Sequence, residues 1–200
     1  MLVPTKKYQI IYADPPWRYQ GNECLAKTSL LNGNVDKVYN SMGIKDLMQI
    51  SLDEIADSKS LLFLWVVSPM LDDGIELLKK WGFEYGTVAF VWYKHLSNPG
   101  HYTLSECELC LVGRKGGIPE PRGERNIRQF VSIKRGEHSA KPFEVKKRIN
   151  KMFPTQSKLE LFAREKTELF KGYGFEGWDV WGNEVESDIE LKTNKYQERF

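Results

Sequence analysis

Leu61-Leu-Phe-Leu-Trp-Val-Val67 is an unbroken run of seven apolar residues. It is too short to span a bilayer. A run of this kind reads as a strand covered on both faces, the pattern of the centre of a parallel sheet. Such a strand needs a layer of helices on each side, and the chain supplies the parts. Residues 10–13, 86–93, 106–113, 127–133, 158–162 and 178–181 read as further strands. Ser68-Pro69 offers a cap residue and a first-turn proline for a helix. Its inward stripe is Leu71, Ile75 and Leu78, and Trp81-Gly82 closes it. Residues 44–56 read as one or two short helices. Residues 141–153 read as a helix with Val145, Ile149, Met152 and Phe153 on one face. Strands alternating with helices give an α/β chain with a mostly parallel sheet flanked by helices. Its 200 residues fit one domain, here 1–185. The charged tail, 186–200, reads as frayed or helical at the edge.

One strand ends unlike the others. Ile10-Ile-Tyr-Ala13 runs into Asp14-Pro15-Pro16-Trp17, and the prolines stop it because they fix φ and cannot donate to a ladder. Asp14 therefore stands where a strand gives way to a loop, the edge at which open α/β sheets bind ligands. These residue types suit the methylation of an exocyclic amine on a flat base. The amine nitrogen is a poor nucleophile, because its lone pair is delocalised into the ring. Asp14 can accept an N–H and favour the positive charge that builds during attack. The Pro15 carbonyl is an acceptor for the second N–H, Pro16 stiffens the corner, and Trp17 offers a face for stacking. Residues 18–41 carry the turn signals Gly21-Asn22 and Asn32-Gly33-Asn34. This long loop reads as a lid over the base.

Further blocks follow: Leu61-Leu-Phe-Leu-Trp65-Val, Trp81-Gly-Phe, Trp92-Tyr-Lys94, Glu108-Leu-Cys-Leu-Val-Gly113-Arg-Lys-Gly116, His138-Ser-Ala-Lys141-Pro142, Glu160-Leu-Phe-Ala-Arg164 and Trp178-Asp-Val-Trp-Gly-Asn183-Glu184. With Asp14-Pro-Pro-Trp17, and in this order, they resemble the N6-adenine methyltransferases typified by the catalytic subunit of the messenger-RNA N6-adenosine methyltransferase. The resemblance runs from Tyr8 to about Glu184. It implies a Rossmann-like methyltransferase fold in permuted order, with the catalytic strand ahead of the donor-binding strand, 158–162. It also implies S-adenosylmethionine as methyl donor, held by Lys141, Arg164, Asn183 and Glu184. Ala163-Arg164-Glu165 stands where other methyltransferases carry a Gly-rich loop. Tyr39 and Met42 resemble the family's Tyr-x-x-Met pattern, which places Tyr39 on the substrate side. Compact relatives of this kind are bacterial or phage proteins acting more often on DNA. The implied reaction is thus methyl transfer to N6 of adenine in nucleic acid, DNA being favoured over RNA. RNA N6-adenosine methylation, DNA N4-cytosine methylation and a silent nucleic-acid-binding partner subunit are the alternatives.

Net charge is only +2, so nucleic-acid contact must come from a local patch. The basic stretch with Arg114, Lys115, Arg122, Arg125, Arg128, Lys134 and Arg135 reads as that patch, with Arg114, Lys115 and Arg125 as phosphate contacts. The target adenine must be flipped out or single-stranded. Three cysteines argue against a disulfide scaffold and for a reducing, cytoplasmic setting; no membrane association is expected, and a homodimer or a partner subunit stays open. Cys107-Glu-Leu-Cys110 reads as strand thiols rather than a metal site, and no metal is expected. Gly172-Tyr-Gly174-Phe-Glu-Gly177 has the spacing of a dinucleotide loop but lacks its strand–helix context. His138 reads as shaping the loop beside Lys141.

Overall fold

The computed structural model describes residues 6–18, 41–98, 102–136, 140–164 and 177–191. Among them, strands β1 (Tyr8–Ala13), β2 (Ala56–Val66), β3 (Glu84–Asn98), β4 (Ser105–Lys115), β5 (Phe130–Ser132), β6 (Lys158–Leu161) and β7 (Trp178–Trp181) form one sheet in the order β5-β3-β4-β2-β1-β6-β7. The pairs β1–β2, β1–β6, β6–β7 and β3–β5 are parallel, while β4 runs antiparallel to both β2 and β3. The sheet is therefore mostly parallel, with β4 alone reversed. The order is permuted as expected, because β1 precedes β6 in the chain and lies beside it.

The apolar run in β2 is buried on both faces. Leu62, Leu64 and Val66 join a core with Ile11, Ala13, Leu77, Leu78, Trp81 and Phe83. Leu61, Phe63 and Trp65 join a second core with Ile10, Tyr12, Phe90, Trp92, Val145 and Ile149. Helices α1 (Ile44–Leu47) and α2 (Leu71–Lys80) cover the first face, and α3 (Phe143–Met152) covers the second. Alternate residues thus point to opposite layers, as strand geometry requires.

Several local expectations are corrected. Between 44 and 56 only α1 is helical, because the Ser51 hydroxyl donates to Asp53 Oδ2 and accepts the Asp53 N–H, competing with helix formation. Ser68 is not the cap of α2. A 3-10 turn, Ser68–Met70, comes first, and its cap is Val67 without a side-chain bond. β5 is shorter than 127–133: its outermost bonds to β3 run from Val91 N–H to Gln129 O at 3.2 Å and from Ile133 N–H to Tyr93 O at 3.3 Å, and ahead of them Arg148 Nη1 takes the Arg128 carbonyl at 2.7 Å. The segment after Glu186 is neither frayed nor helical as far as Leu191. Asp188 exchanges bonds with Val180, its N–H reaching Val180 O at 2.9 Å and its Oδ2 accepting the Val180 N–H at 2.8 Å. Leu191 is buried in the first core.

No helix among the described residues is long and apolar enough to cross a membrane.

Candidate active site at the carboxyl edge of the sheet

Register decides which residues meet. Ala13 lies beside Leu64 of β2 and Leu161 of β6, and Leu161 lies beside Trp181 of β7. Asp14, Ala163-Arg164 and Gly182-Asn183-Glu184 therefore leave the sheet at one carboxyl edge. β4, being reversed, brings its beginning to the same edge: Leu109 pairs with Val66, and Glu108 with Trp92.

Four charges form an alternating row there. Lys141 Nζ lies 2.7 Å from Asp14 Oδ1 and 3.2 Å from Glu108 Oε2. Lys94 Nζ lies 3.3 Å from Glu108 Oε1. Side-chain exposure is 18% for Asp14, 16% for Glu108, 13% for Lys141 and 5% for Lys94, so Asp14 keeps the most contact with solvent. Lys141 Nζ also sits 5.6 Å above the Trp65 ring. Burial alone would push the Glu108 carboxyl up, but the ammonium groups of Lys141 and Lys94 outweigh it and hold Glu108 below the ordinary glutamate value. Lys141 mirrors this: burial lowers it, yet Asp14 and Glu108 leave it above the ordinary lysine value. A carboxylate with a depressed folded pKa contributes stability above its unfolded pKa and loses it as pH falls through the folded one. Glu108→Gln is thus expected to lower the urea midpoint at about pH 7, and by progressively less toward about pH 3.

The Asp14-Pro-Pro-Trp corner is held from below. Trp17 N–H donates to Pro15 O at 2.9 Å, a three-residue turn. Of the two lone pairs on the Pro15 carbonyl, one is already engaged. Met42 N–H donates to Pro16 O at 2.7 Å, and Arg18 N–H to Met42 O at 3.0 Å. The Trp17 indole does not offer a stacking face. It is 7% exposed, lies in the first core, and donates from Nε1 to Trp65 O at 2.9 Å. An indole that finishes the core beneath the corner cannot also stand open above it. Tyr39 and the rest of the segment read as a lid, 19–40, lie outside the described residues, as does His138.

Of the residues assigned to the donor, Arg164 is half-buried at the end of β6, and Asn183 and Glu184 are exposed after β7. Asn183 and Glu184 border an open concavity with Val185 and Glu186. The ammonium of Lys141, also assigned to the donor, is engaged here by Asp14 and Glu108. Gly182 packs against the backbone after β6: an added Cβ would stand 2.2 Å from Ala163 O and 2.8 Å from Ala163 N. Gly182→Ala must push the two loops apart, at a cost of about 1–3 kcal/mol. Urea unfolding is expected to register that loss.

The basic patch is not where the sequence placed it. Arg114 pairs in register with Leu61, and Leu61 with Ile10. It stands at the opposite end of the sheet, four residues and so about 13 Å down the strand from Asp14. There Arg114 bonds Glu84 at 3.0 Å and Lys115 bonds Asp53 at 3.2 Å. Arg125 faces Glu120 at 3.9 Å on a loop whose Glu124 N–H bonds Lys151 O near the end of α3. The reversal of β4 is the cause. From the same basic stretch, Lys134 and Arg135 do reach the Asp14 edge, since they follow β5 and Arg135 N–H donates to Lys94 O at 3.0 Å.

Glu108 and Lys94 lie within the sequence blocks above but are not among the expected site residues. The available signal was a charge embedded in an apolar strand, which is buried only when paired. Cys110 is buried and Cys107 partly so. Among the described residues no group of three His, Cys, Asp or Glu side chains could hold a metal ion.

Comparison with known proteins bears on this edge. The MT-A70 family profile matches residues 8–184. The chain belongs to the MT-A70 family. It is 44% identical over 203 aligned positions to the Type II methyltransferase M.MunI of a Mycoplasma species, covering 96% of this chain and 84% of that protein. It is 27% identical to a putative N(6)-adenosine-methyltransferase MT-A70-like protein of Medicago truncatula, covering 97% of this chain and 29% of that one. Human N(6)-adenosine-methyltransferase catalytic subunit METTL3 is 25% identical, with 79% of this chain and 26% of METTL3 covered. This MT-A70 chain thus spans less than a third of the length of those two longer relatives.

Proposed function

We infer that this MT-A70 protein transfers a methyl group from S-adenosylmethionine to the N6 amine of adenine in DNA. The observation that carries the reading is the Asp14 carboxylate. It is fixed by a proline corner at the carboxyl edge of the central strands and is the most solvent-accessible member of a buried charge row. The 44% identity to a Type II methyltransferase over nearly the whole chain favours DNA over RNA. The N(6)-adenosine-methyltransferase relatives favour adenine over cytosine.

The residues at this edge fit the donor by their chemistry. Arg164 and Asn183 supply N–H groups for hydroxyl or carboxylate oxygens, and Glu184 accepts from a ribose or an ammonium. When bound, the donor supplies an electrophilic methyl carbon. The chain does the rest. Asp14 accepts an N–H from the adenine amine and holds the nitrogen lone pair toward that carbon. As the N–C bond forms and the S–C bond breaks, the nitrogen gains positive charge, and the nearby carboxylate stabilises it. The proton then leaves through the same hydrogen bond. Arg135 and Lys134, at the same edge, are the proposed phosphate contacts in place of Arg114, Lys115 and Arg125. Calorimetry of S-adenosylmethionine binding, followed by tritiated-methyl transfer to unmethylated DNA and RNA, tests the reading. Label in N6-methyladenine of DNA supports it. Label in RNA alone moves the substrate, label in N4-methylcytosine moves the base, and donor binding without transfer to either polymer makes the chain a silent subunit.

A further inference from the structure

Lys94 is 4% exposed, and its ammonium lies against Glu108 at 3.3 Å, on the far side of Glu108 from Lys141. Burying a lysine this deeply is unfavourable unless a charge repays it, and the carboxylate that the Lys94 ammonium meets is Glu108, not Asp14. Its work must therefore pass through Glu108. The resting arrangement raises a difficulty for catalysis. Lys141 occupies Asp14 at 2.7 Å, so the incoming amine and the ammonium compete for one carboxylate. A cation beside Asp14 also opposes the positive charge that builds on the amine. Glu108 offers the way out, since its Oε2 is already 3.2 Å from the same ammonium. It can receive Lys141 only while it is ionised, and burial, which on its own favours protonation, is offset there by the two ammonium groups.

We propose that Lys94 is a positioning residue that keeps Glu108 charged as the alternative seat of the Lys141 ammonium, so that Asp14 is released to the substrate amine. No bond is made or broken in this step; one ammonium moves between two carboxylates. The groups facing Glu108 are Lys94 from β3 and Lys141 from the loop ahead of α3, with Asp14 beyond Lys141. The Cys110 thiol lies near Asp14 and Lys141, and burial pushes it up, so it stays neutral. The proposal rests on the reading of Asp14 as the acceptor of the amine.

The test is the pH dependence of methyl transfer to DNA in the whole chain. Losing an opposite charge at contact raises a carboxylate pKa by ~1–3 units. Lys94→Met is therefore expected to lower kcat about threefold or more at about pH 5.5, with most of the loss recovered at about pH 8 and KM unchanged. Lys94→Arg, which keeps the charge, is expected to stay close to the native protein at both values. Lys94→Met leaves Glu108 with one cation, so it can fail to fold. The double variant Lys94→Met/Glu108→Gln removes the charges as a pair and keeps the test open. It is expected to carry the full acid-pH defect without alkaline recovery. A defect in Lys94→Met that is the same at every pH overturns the proposal. So does Lys94→Arg failing like Lys94→Met, or a double variant as active as the native protein. Undiminished transfer by Asp14→Asn defeats the underlying reading and the proposal together. A failed Lys94 series beside a dead Asp14→Asn defeats the proposal alone.

Discussion

Asp14→Ala is expected to lower methyl transfer by about 10²–10³-fold or more, the scale of losing one charge-stabilising group from a preorganised site, while leaving the sheet intact. Asp14 lies beyond the last paired residue of β1, which is Ala13. Its loss therefore breaks no ladder bond. It leaves Lys141 without its nearer partner, but Glu108 remains at 3.2 Å. The stability loss should accordingly fall short of the ~3–5 kcal/mol seen when a buried charge is left with no partner. Asp14→Asn keeps shape and volume and removes the charge, so a comparable loss of kcat from both variants isolates the carboxylate. Circular dichroism and the urea midpoint check that the protein stays folded. Turnover close to that of the native protein in either variant would refute the assigned role.

Trp17→Ala is expected to cost about 3–5 kcal/mol of stability, the usual range for deleting a buried aromatic ring. The reason is location: the ring fills the first core, and Nε1 ties the corner to the end of β2 at 2.9 Å. Trp17→Phe keeps most of the packing but leaves the Trp65 carbonyl without that donor, and about 1–3 kcal/mol is expected. A stacking role makes the opposite prediction. Truncation would then leave the urea midpoint near the native value and raise KM for the nucleic acid by the ~1–3 kcal/mol of a lost base contact. Measuring both quantities on both variants separates packing from stacking.

The layer architecture was legible because burial on both faces leaves an unmistakable pattern. Residues 61–67 carry no charged side chain, and 61–66 fall in the central strand of the sheet. The corner at Asp14 was legible because two prolines can end a strand in few ways. Direction was not legible. A strand reads the same up or down, so the reversal of β4 had no local signal, and it carried Arg114 and Lys115 to the end of the sheet opposite Asp14. That same reversal brought Glu108 to the Asp14 end. Trp17 was misjudged for a related reason. Side-chain identity says what an indole can do, but only the return of the chain at Met42, which pairs with Trp17, decides which side is covered. Lys141 was assigned to the donor, and its contacts with Asp14 and Glu108 could not be read because they depend on strands distant in sequence.

Lys141 Nζ rests 5.6 Å from the centre of the Trp65 ring, and Trp65 is fully buried. Indole fluorescence responds to the electric field across the ring, and a single ammonium at that range is a strong local source. If the ammonium changes seats when substrate arrives, the emission of Trp65 changes with it. The protein thus carries its own spectroscopic gauge of where that charge stands, readable by subtracting the spectrum of a Trp65→Phe variant, with no dye attached.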